Sequence, residues 1–432
     1  AASPIDRFAR LLRRSKVQVG LVTDGRWWAL VWADPSTSTA SALFDSRVWN
    51  EEQLMRDAFL SLAGIKLQIG VSEEERLPQL FQKSLLQQEE ITDVLGKQVR
   101  QAVELLVQSF SESRITALAG EHPDPLPENE QEPYEAAVTV MMRIVFMLFA
   151  EERGLLPVGQ ELYGRSYGIS GLLDELEDEE RRDATSLDRS TAVWHRILAT
   201  STALYMGATF EDMRMPAYGG SLFDANRFPW LYSRQPEHGL NLVVHDRVML
   251  HVLRSIQIVR QNNQARRISF REVDVEQIGY VYEGLLGYAS RRVSSDAVLG
   301  FQGSEGDEPE ISLAKVLELR EANKSDEKFA DALLKLIEVD QPAAKPQTKN
   351  RIVSALKADI DEAIAMQQLG AVTAHDKKLV KEILPFVNLL RRDLRGLPYV
   401  VPKNGIVVTE TSSRKNAGAH YTPRSLAEEV VL

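Results

Sequence analysis

Residues 136–150 read AAVTVMMRIVFMLFA, an apolar run with a single charged residue, Arg143. A helix that is apolar all round has no face to offer water, so it belongs in a core or a membrane. A bilayer span needs ~20 such residues and rarely tolerates an arginine at its centre. This stretch is too short, and it is expected to be a fully buried core helix. Such a helix must be covered by others, and the chain supplies them on both sides. Ile91, Leu95, Val99, Val103, Leu106 and Phe110 recur at three- and four-residue spacing, the period of an amphipathic helix. Ile278, Val281, Tyr282 and Leu285 form a stripe behind Asp274, which with Gln277 suits a capping box. Leu356, Ile360, Ala363 and Ile364 mark a later helix, and Leu379, Ile383, Phe386 and Leu390 another.

The start of the chain has a different period. Val17–Thr23 (VQVGLVT) is a β-branched run, and Asp24-Gly25 follows it. That dipeptide suits a tight hairpin, because both central residues of a type I′ turn need positive φ. Trp27–Ala33 (WWALVWA) is the return strand, and Ala40–Phe44 is a third. Trp27 and Trp28 are neighbours in a strand and so must point to opposite faces. Asn50 is placed to cap a helix through Leu54, Phe59 and Leu62. Polar linkers rich in proline or glycine interrupt the chain at 122–133, 303–310 and 338–349. Leu397–Thr411 reads as two short strands around Asn404-Gly405.

With 432 residues, 44% of them hydrophobic, the chain is long enough for two or three domains with real cores. It has no cysteine, which excludes disulfides, thiolate metal sites and a cysteine nucleophile, and fits a cytoplasmic protein. The first residues lack the apolar segment of a secretory signal. A net charge of −11 argues against binding polyanions by bulk electrostatics. Any DNA contact must be local. The candidates are Arg7, Arg10, Arg13, Arg14 and Lys16, or Arg391, Arg392 and Arg395; the alternative for either group is a solvated helix face.

No metal site is expected. The seven histidines form no H-E-x-x-H pattern, and His245 and His251, six apart, should not share a helix face. Asp326-Glu-Lys328 has the spacing of a nuclease metal site but lies in a helical charge run. Tyr218-Gly-Gly-Ser221 lacks the elements of a phosphate loop and reads as a turn seating Leu222 and Phe223 in the core. Glu151-Glu152-Arg153 reads as a helix-end salt bridge, with Arg143 as a candidate partner.

Near the end, Gly418-Ala-His-Tyr-Thr-Pro423 opens a helix. Thr422 is the N-cap, Pro423 occupies the first helical position, and Leu426, Ala427, Val430 and Val431 give an apolar face. Free N–H groups at such a start favour an anionic group, for example the carboxylate of an amino-acid-derived cofactor.

This string, followed by RSLA, resembles the motif that precedes the cofactor-binding strand in gamma-type adenine-N6 DNA methyltransferases. Phe8–Val31, Tyr134–Pro157, Tyr218–Phe223 and Ser269–Leu286 resemble, in order, segments of large Type IIG-like restriction–modification methylases, and parts of the layout are shared with phage-defence methylases of the DISARM and BREX systems. The resemblance implies that Gly418, Tyr421, Thr422 and Pro423 line an S-adenosylmethionine pocket. It also implies a buried polar clamp at Glu151–Arg153. The adenine-binding N-P-P-Y tetrapeptide of the family does not occur, and no Asp…Glu-x-Lys nuclease site precedes the GLVTDG strand. No catalytic residue is therefore assigned. The chain is expected to be a fragment of a larger enzyme that binds the cofactor weakly or not at all by itself, and to have no nuclease activity.

The expected fold is mixed and mainly α. Residues 1–70 would form a small α/β part, a nuclease-like remnant; 71–395 a helical connector; and 396–432 a strand pair and the start of a Rossmann-like methyltransferase domain. The expected function is the N-terminal portion of a site-specific adenine-N6 DNA methyltransferase in restriction or phage defence. Its partners would be double-stranded DNA, other phage-defence subunits or a phage inhibitor, and no membrane. The alternative is a non-catalytic assembly or regulatory module of a defence complex.

Overall fold

The structure is a computed structural model. It describes residues 4–410 apart from 34–38, 50–52, 212, 236–238, 262–263, 269, 271–274, 295 and 305. Among the described residues it is mainly helical with small sheets, and its contacts divide it into two compact units that meet in sequence at 93/94.

The N-terminal unit begins with helix α1 (Pro4–Arg14), followed by strands β1 (Val19–Thr23), β2 (Trp27–Trp32) and β3 (Ala40–Asp45). The strands form an antiparallel meander, with Thr23 opposite Trp28 and Trp28 opposite Phe44. Its first turn closes the expected hairpin but not as type I′: of Asp24, Gly25 and Arg26 only Gly25 has positive φ, and the Asp24 N–H donates to Trp27 O at 3.3 Å. Gly25 takes φ +93°, and Asp24 Oδ1 accepts the backbone N–H groups of Arg26 at 2.9 Å and Trp27 at 2.7 Å. These two donors, Trp27 first, hold the Asp24 carboxyl below its usual range. Alternation along β2 sends Ala29, Val31 and Ala33 under α1, against Ala9 and Leu12. Leu30 faces the other way, towards Phe44 and Phe59. Gly20 is required for the helix to lie this close, since a Cβ there would stand 2.7 Å from the Phe8 ring. Trp28 packs edge-on to Phe59 at 5.5 Å, while Trp27 stays 38% exposed. Helices α2 (Gln53–Ala63) and α3 (Ile65–Ile69) follow; Asn50, the expected cap, lies outside the described residues. Helix α4 (Leu77–Ala119) spans the division between the units.

In the second unit α5 (Glu132–Glu152) is the buried helix the apolar run requires. Ala136, Val140, Met141, Ile144 and Met147 are all inaccessible to water. It is long and apolar enough to cross a membrane, but 78% of its most apolar stretch is buried inside the protein. Around it come α6 (Glu161–Ser166), α7 (Leu172–Arg182), α8 (Ala192–Met206), hairpin β4 (Ala208–Phe210) and β5 (Met213–Met215), and the short pair β6 (Arg234–Gln235) and β7 (Gly239–Leu240). Then follow α9 (Asp246–Gln257), hairpin β8 (Ile258–Gln261) and β9 (Gln264–Arg267), α10 (Val275–Leu285) and β10 (Tyr288–Arg292). Val99, Val103, Leu106 and Phe110 of α4 join α5, α8 and α9 in one large apolar core.

A second core lies in the C-terminal part of this unit. It is built by β11 (Val298–Gly300), β12 (Glu310–Ser312), α11 (Leu313–Ala322), α12 (Asp326–Asp340), α13 (Lys349–Lys357), α14 (Glu362–Val372) and α15 (Lys377–Ile383), with β13 (Val400–Val401). One expected helix is in fact two. Leu356 lies in the last turn of α13, and Ile360 lies in the break before Asp361 caps α14 by accepting the Ile364 N–H at 3.1 Å. Leu379 and Ile383 lie on α15, whereas Phe386 falls in a 3₁₀ turn that begins before Pro385. The strands flanking Asn404-Gly405 exist, as β13 and β14 (Ile406–Glu410), but they do not pair with each other. β13 adds to β11, and β14 pairs antiparallel with β10. Gly405 faces α4 so closely that a Cβ would stand 2.7 Å from Ser111 Oγ, which accepts the Ile406 N–H at 2.9 Å.

Candidate functional site

Gly418, Tyr421, Thr422 and Pro423 lie outside the described residues. What precedes them is fixed: β14 is held against β10 from Arg292–Ile406 to Tyr288–Glu410. Glu410, the end of β14, is the last described residue before that segment.

The upstream segments meet one another. Tyr134 Oη at the start of α5 donates to Leu285 O of α10 at 2.6 Å. Arg143, with no exposure to water, donates Nε to Leu222 O at 2.6 Å, one Nη to Tyr232 Oη at 2.8 Å and the other to Asp224 O at 3.2 Å. Gly219 and Gly220 take φ +62° and +79°, which turns the chain so that Phe223 enters the core and Leu222 packs on it. Tyr218 Oη reaches back to Leu155 O at 3.0 Å. The expected Arg143–Glu151 salt bridge does not form. Glu151 instead accepts from Tyr163 Oη at 2.7 Å and from the backbone N–H groups of Ile169 and Ser170, each at 2.8 Å. The two charges are separate buried hubs, each fastening a different loop to α5. Loop carbonyls, with their lone pairs turned inward, suit a guanidinium as well as a carboxylate does.

In the basic cluster at 391–395, two of the three arginines, Arg391 and Arg395, are committed to carboxylates, and Arg392 stays exposed. Arg391 pairs with Glu104 of α4 and Glu310 of β12, and its guanidinium lies 3.6 Å from the centre of the Tyr399 ring. Arg395 grips both oxygens of Glu112 at 2.9 and 2.6 Å and adds Asp393 at 2.8 Å. Arg392 donates to Gln368 and to Gly396 O. Glu104 and Glu112 are eight residues apart, and Gln108 sits midway, 3% exposed, with both amide atoms unpartnered beside a cavity of about 70 Å³. Glu104, Gln108 and Glu112 at i, i+4 and i+8, on one face of α4 through the apolar stretch Ala102–Phe110, were the available sequence signal for this seam. Burial pushes Glu310 up to about 7, and Arg391, which it shares with Glu104, only partly opposes that. For Glu104 the balance is reversed: burial raises it, but Arg391 outweighs burial and holds it low.

A cleft of about 770 Å³ opens beside this seam, the size of a small-molecule site. Sequence reasoning did not foresee it, because its walls come from α4, α9, the stretch after β7 and residues 395–397. Both His245 and His251 line it without sharing a helix face, because His245 precedes α9 as its cap residue. Burial lowers His251 to about 4, helped by the charge of Arg254, so its imidazole is neutral at physiological pH. The arginines at the cleft already hold carboxylates. Arg247 donates to Asp188 at 2.9 Å and Glu180 at 3.2 Å, and Arg395 is engaged with Glu112. What remains for a ligand is neutral: imidazole, the Asn241 amide, and the hydroxyls of Ser109 and Thr116. Among the described residues no group of three His, Cys, Asp or Glu is placed to hold a metal ion. Asp326, Glu327 and Lys328 lie on α12, where Asp326 pairs with Arg320 and Glu327 with Lys357.

No known protein family, curated protein or solved structure matches the chain.

Proposed function

We propose that the chain is the N-terminal portion of a site-specific adenine-N6 DNA methyltransferase of a restriction or phage-defence system, acting in the cytoplasm. One observation supports this above the others. The three upstream segments of the second unit that resemble Type IIG-like methylases are not scattered over the surface. They meet around α5 through Tyr134–Leu285, Arg143–Leu222 and Tyr218–Leu155. The fourth forms the α1–β1–β2 packing of the N-terminal unit. Segments that resemble one family and build one another's supports are better explained by a shared fold than by chance strings.

On this reading the second unit is a connector whose strand β14 leads into the methyltransferase domain, a Rossmann-like fold beginning with GAHYTP. Gly418, Tyr421, Thr422 and Pro423 would form one wall of the S-adenosylmethionine pocket. The cofactor supplies an activated methyl group; the exocyclic amine of a flipped adenine would receive it. Tyr421 would pack on the cofactor, and the helix start at Thr422-Pro423 would face its carboxylate. The test is photo-crosslinking of radiolabelled S-adenosylmethionine to the full-length gene product. Labelling that maps to the peptide containing 418–423, and is lost in Tyr421→Ala, is the expected result. Labelling confined to peptides elsewhere would overturn the assignment of this wall.

A further inference from the structure

Helix α1 carries a row of exposed arginines along one face. Most arginines in the second unit are spoken for: Arg247, Arg254, Arg267, Arg391 and Arg395 each hold one or more carboxylates. On α1 the pattern is reversed. Arg7, Arg10 and Arg14 are exposed, and none of the three has an ion pair or hydrogen bond among the described residues. Their spacing of three and four places them on one face. The opposite face, Phe8, Ala9 and Leu12, is fixed to the β1–β2 hairpin. Arg13, between the two, is held by Thr39 Oγ1 at 2.8 Å.

We infer that this face of α1 binds the phosphate backbone of double-stranded DNA. In a chain with a net charge of −11, three unpaired guanidiniums on one rigid face make a local positive stripe where the bulk field is repulsive. The stripe runs about 10 Å along the helix axis at ~1.5 Å per residue. That length covers two or three phosphates, which recur every ~3.4 Å along each strand of the duplex axis. Guanidinium forks suit phosphate oxygens better than ammonium groups do. A membrane surface fits less well, because an interfacial helix needs a free apolar face and that of α1 is buried in the unit's own core. The contact reads no sequence; it positions the protein on the duplex. The inference rests on the proposed function only in taking DNA as the partner.

The test is fluorescence anisotropy of a labelled duplex with the full chain, titrated between 50 and 200 mM salt. Replacing Arg7, Arg10 and Arg14 together with Gln should lower the slope of log affinity against log salt by roughly 2 to 3, since each neutralised phosphate contributes ~0.9. The loss of affinity across that salt range should then shrink by roughly fortyfold. The same three positions changed to Lys should keep the slope, which separates charge from misfolding. Arg165→Gln with Arg181→Gln, exposed arginines paired on their own helices, should also keep it. An unchanged slope in the Gln variant overturns the inference. So does equal loss in the control pair, stronger binding to phosphatidylserine vesicles than to duplex at equal phosphate, or no DNA binding by the parent chain. The function proposed above is judged separately, by labelling at 418–423 and by methylation.

Discussion

Glu151→Gln should weaken the second unit by about 3 kcal/mol. The carboxylate is 4% exposed and accepts three hydrogen bonds, at 2.7 Å from Tyr163 Oη and 2.8 Å from the N–H groups of Ile169 and Ser170. Bonds to a charged acceptor are worth ~1.5–3 kcal/mol each, roughly twice their neutral counterparts. Glutamine keeps the outline of the side chain but turns one acceptor into a donor. The Ser170 N–H then faces an N–H, and the remaining two bonds fall to neutral strength. Lost bond, dry donor and weakened pair together come to about 3 kcal/mol. Glu151→Ala strands all three donors and leaves a void, for about 5 kcal/mol. Native-state hydrogen exchange on the full chain reads this locally, because peptides from 134–150 report the opening of α5 itself. Their exchange should accelerate roughly a hundredfold in Glu151→Gln, at ~1.4 kcal/mol per tenfold. Glu161→Gln is the control: its ion pair with Arg165 leaves the Glu side chain 84% exposed and should be worth under ~0.5 kcal/mol. If Glu151→Gln matches the control, Glu151 does not hold the Tyr163–Ser170 loop to α5.

Gly20→Ala should loosen α1 from its hairpin, because the added Cβ would meet the Phe8 ring at 2.7 Å and Leu12 at 2.8 Å; overpacking of this kind costs ~1–3 kcal/mol and would show as faster exchange in residues 5–12. Arg395→Met removes the guanidinium that neutralises both Glu112 and Asp393, and urea unfolding should show a loss of ~3–5 kcal/mol at pH 7. His251 is depressed from 6.5 to about 4, so its folded form binds fewer protons than the unfolded chain. The stability it contributes is fully present above pH 6.5 and is lost as pH falls towards 4. His251→Asn should therefore shed about 2 kcal/mol of acid sensitivity in that window, after allowance for solvent in the cleft. Parallel stability curves for the two proteins between pH 7 and 4 would contradict it.

Local signals made the N-terminal meander and α5 legible in the sequence. A tight turn at Asp24-Gly25 and two-residue alternation fix a hairpin without reference to distant residues. An apolar run around Arg143 fixes a buried helix in the same way. The failures share the opposite property. Arg391 and Arg395 look like a solvated basic cluster because Glu104 and Glu112 stand 287 and 283 residues away. Arg143 and Glu151 look like partners because they are eight residues apart on one helix, yet Arg143 serves a loop 79 to 89 residues on and Glu151 one 12 to 19 residues on. Helical periodicity ran through Leu356 to Ile364 because it cannot register the Asp361 cap that restarts the helix. The cleft was invisible for the same reason as the ion pairs: no one stretch contains its walls. The candidate cofactor residues at 418–423 were legible only as a motif, and they lie beyond the described residues.

The central claim is adenine methylation, and the most direct measurement is single-molecule sequencing of DNA from cells expressing the full-length gene product in a methylation-deficient host. N6-methyladenine should appear at nearly every copy of one short recognition sequence and disappear in the Tyr421→Ala strain. Genomic adenines that stay unmodified while the protein is expressed and folded would contradict the account.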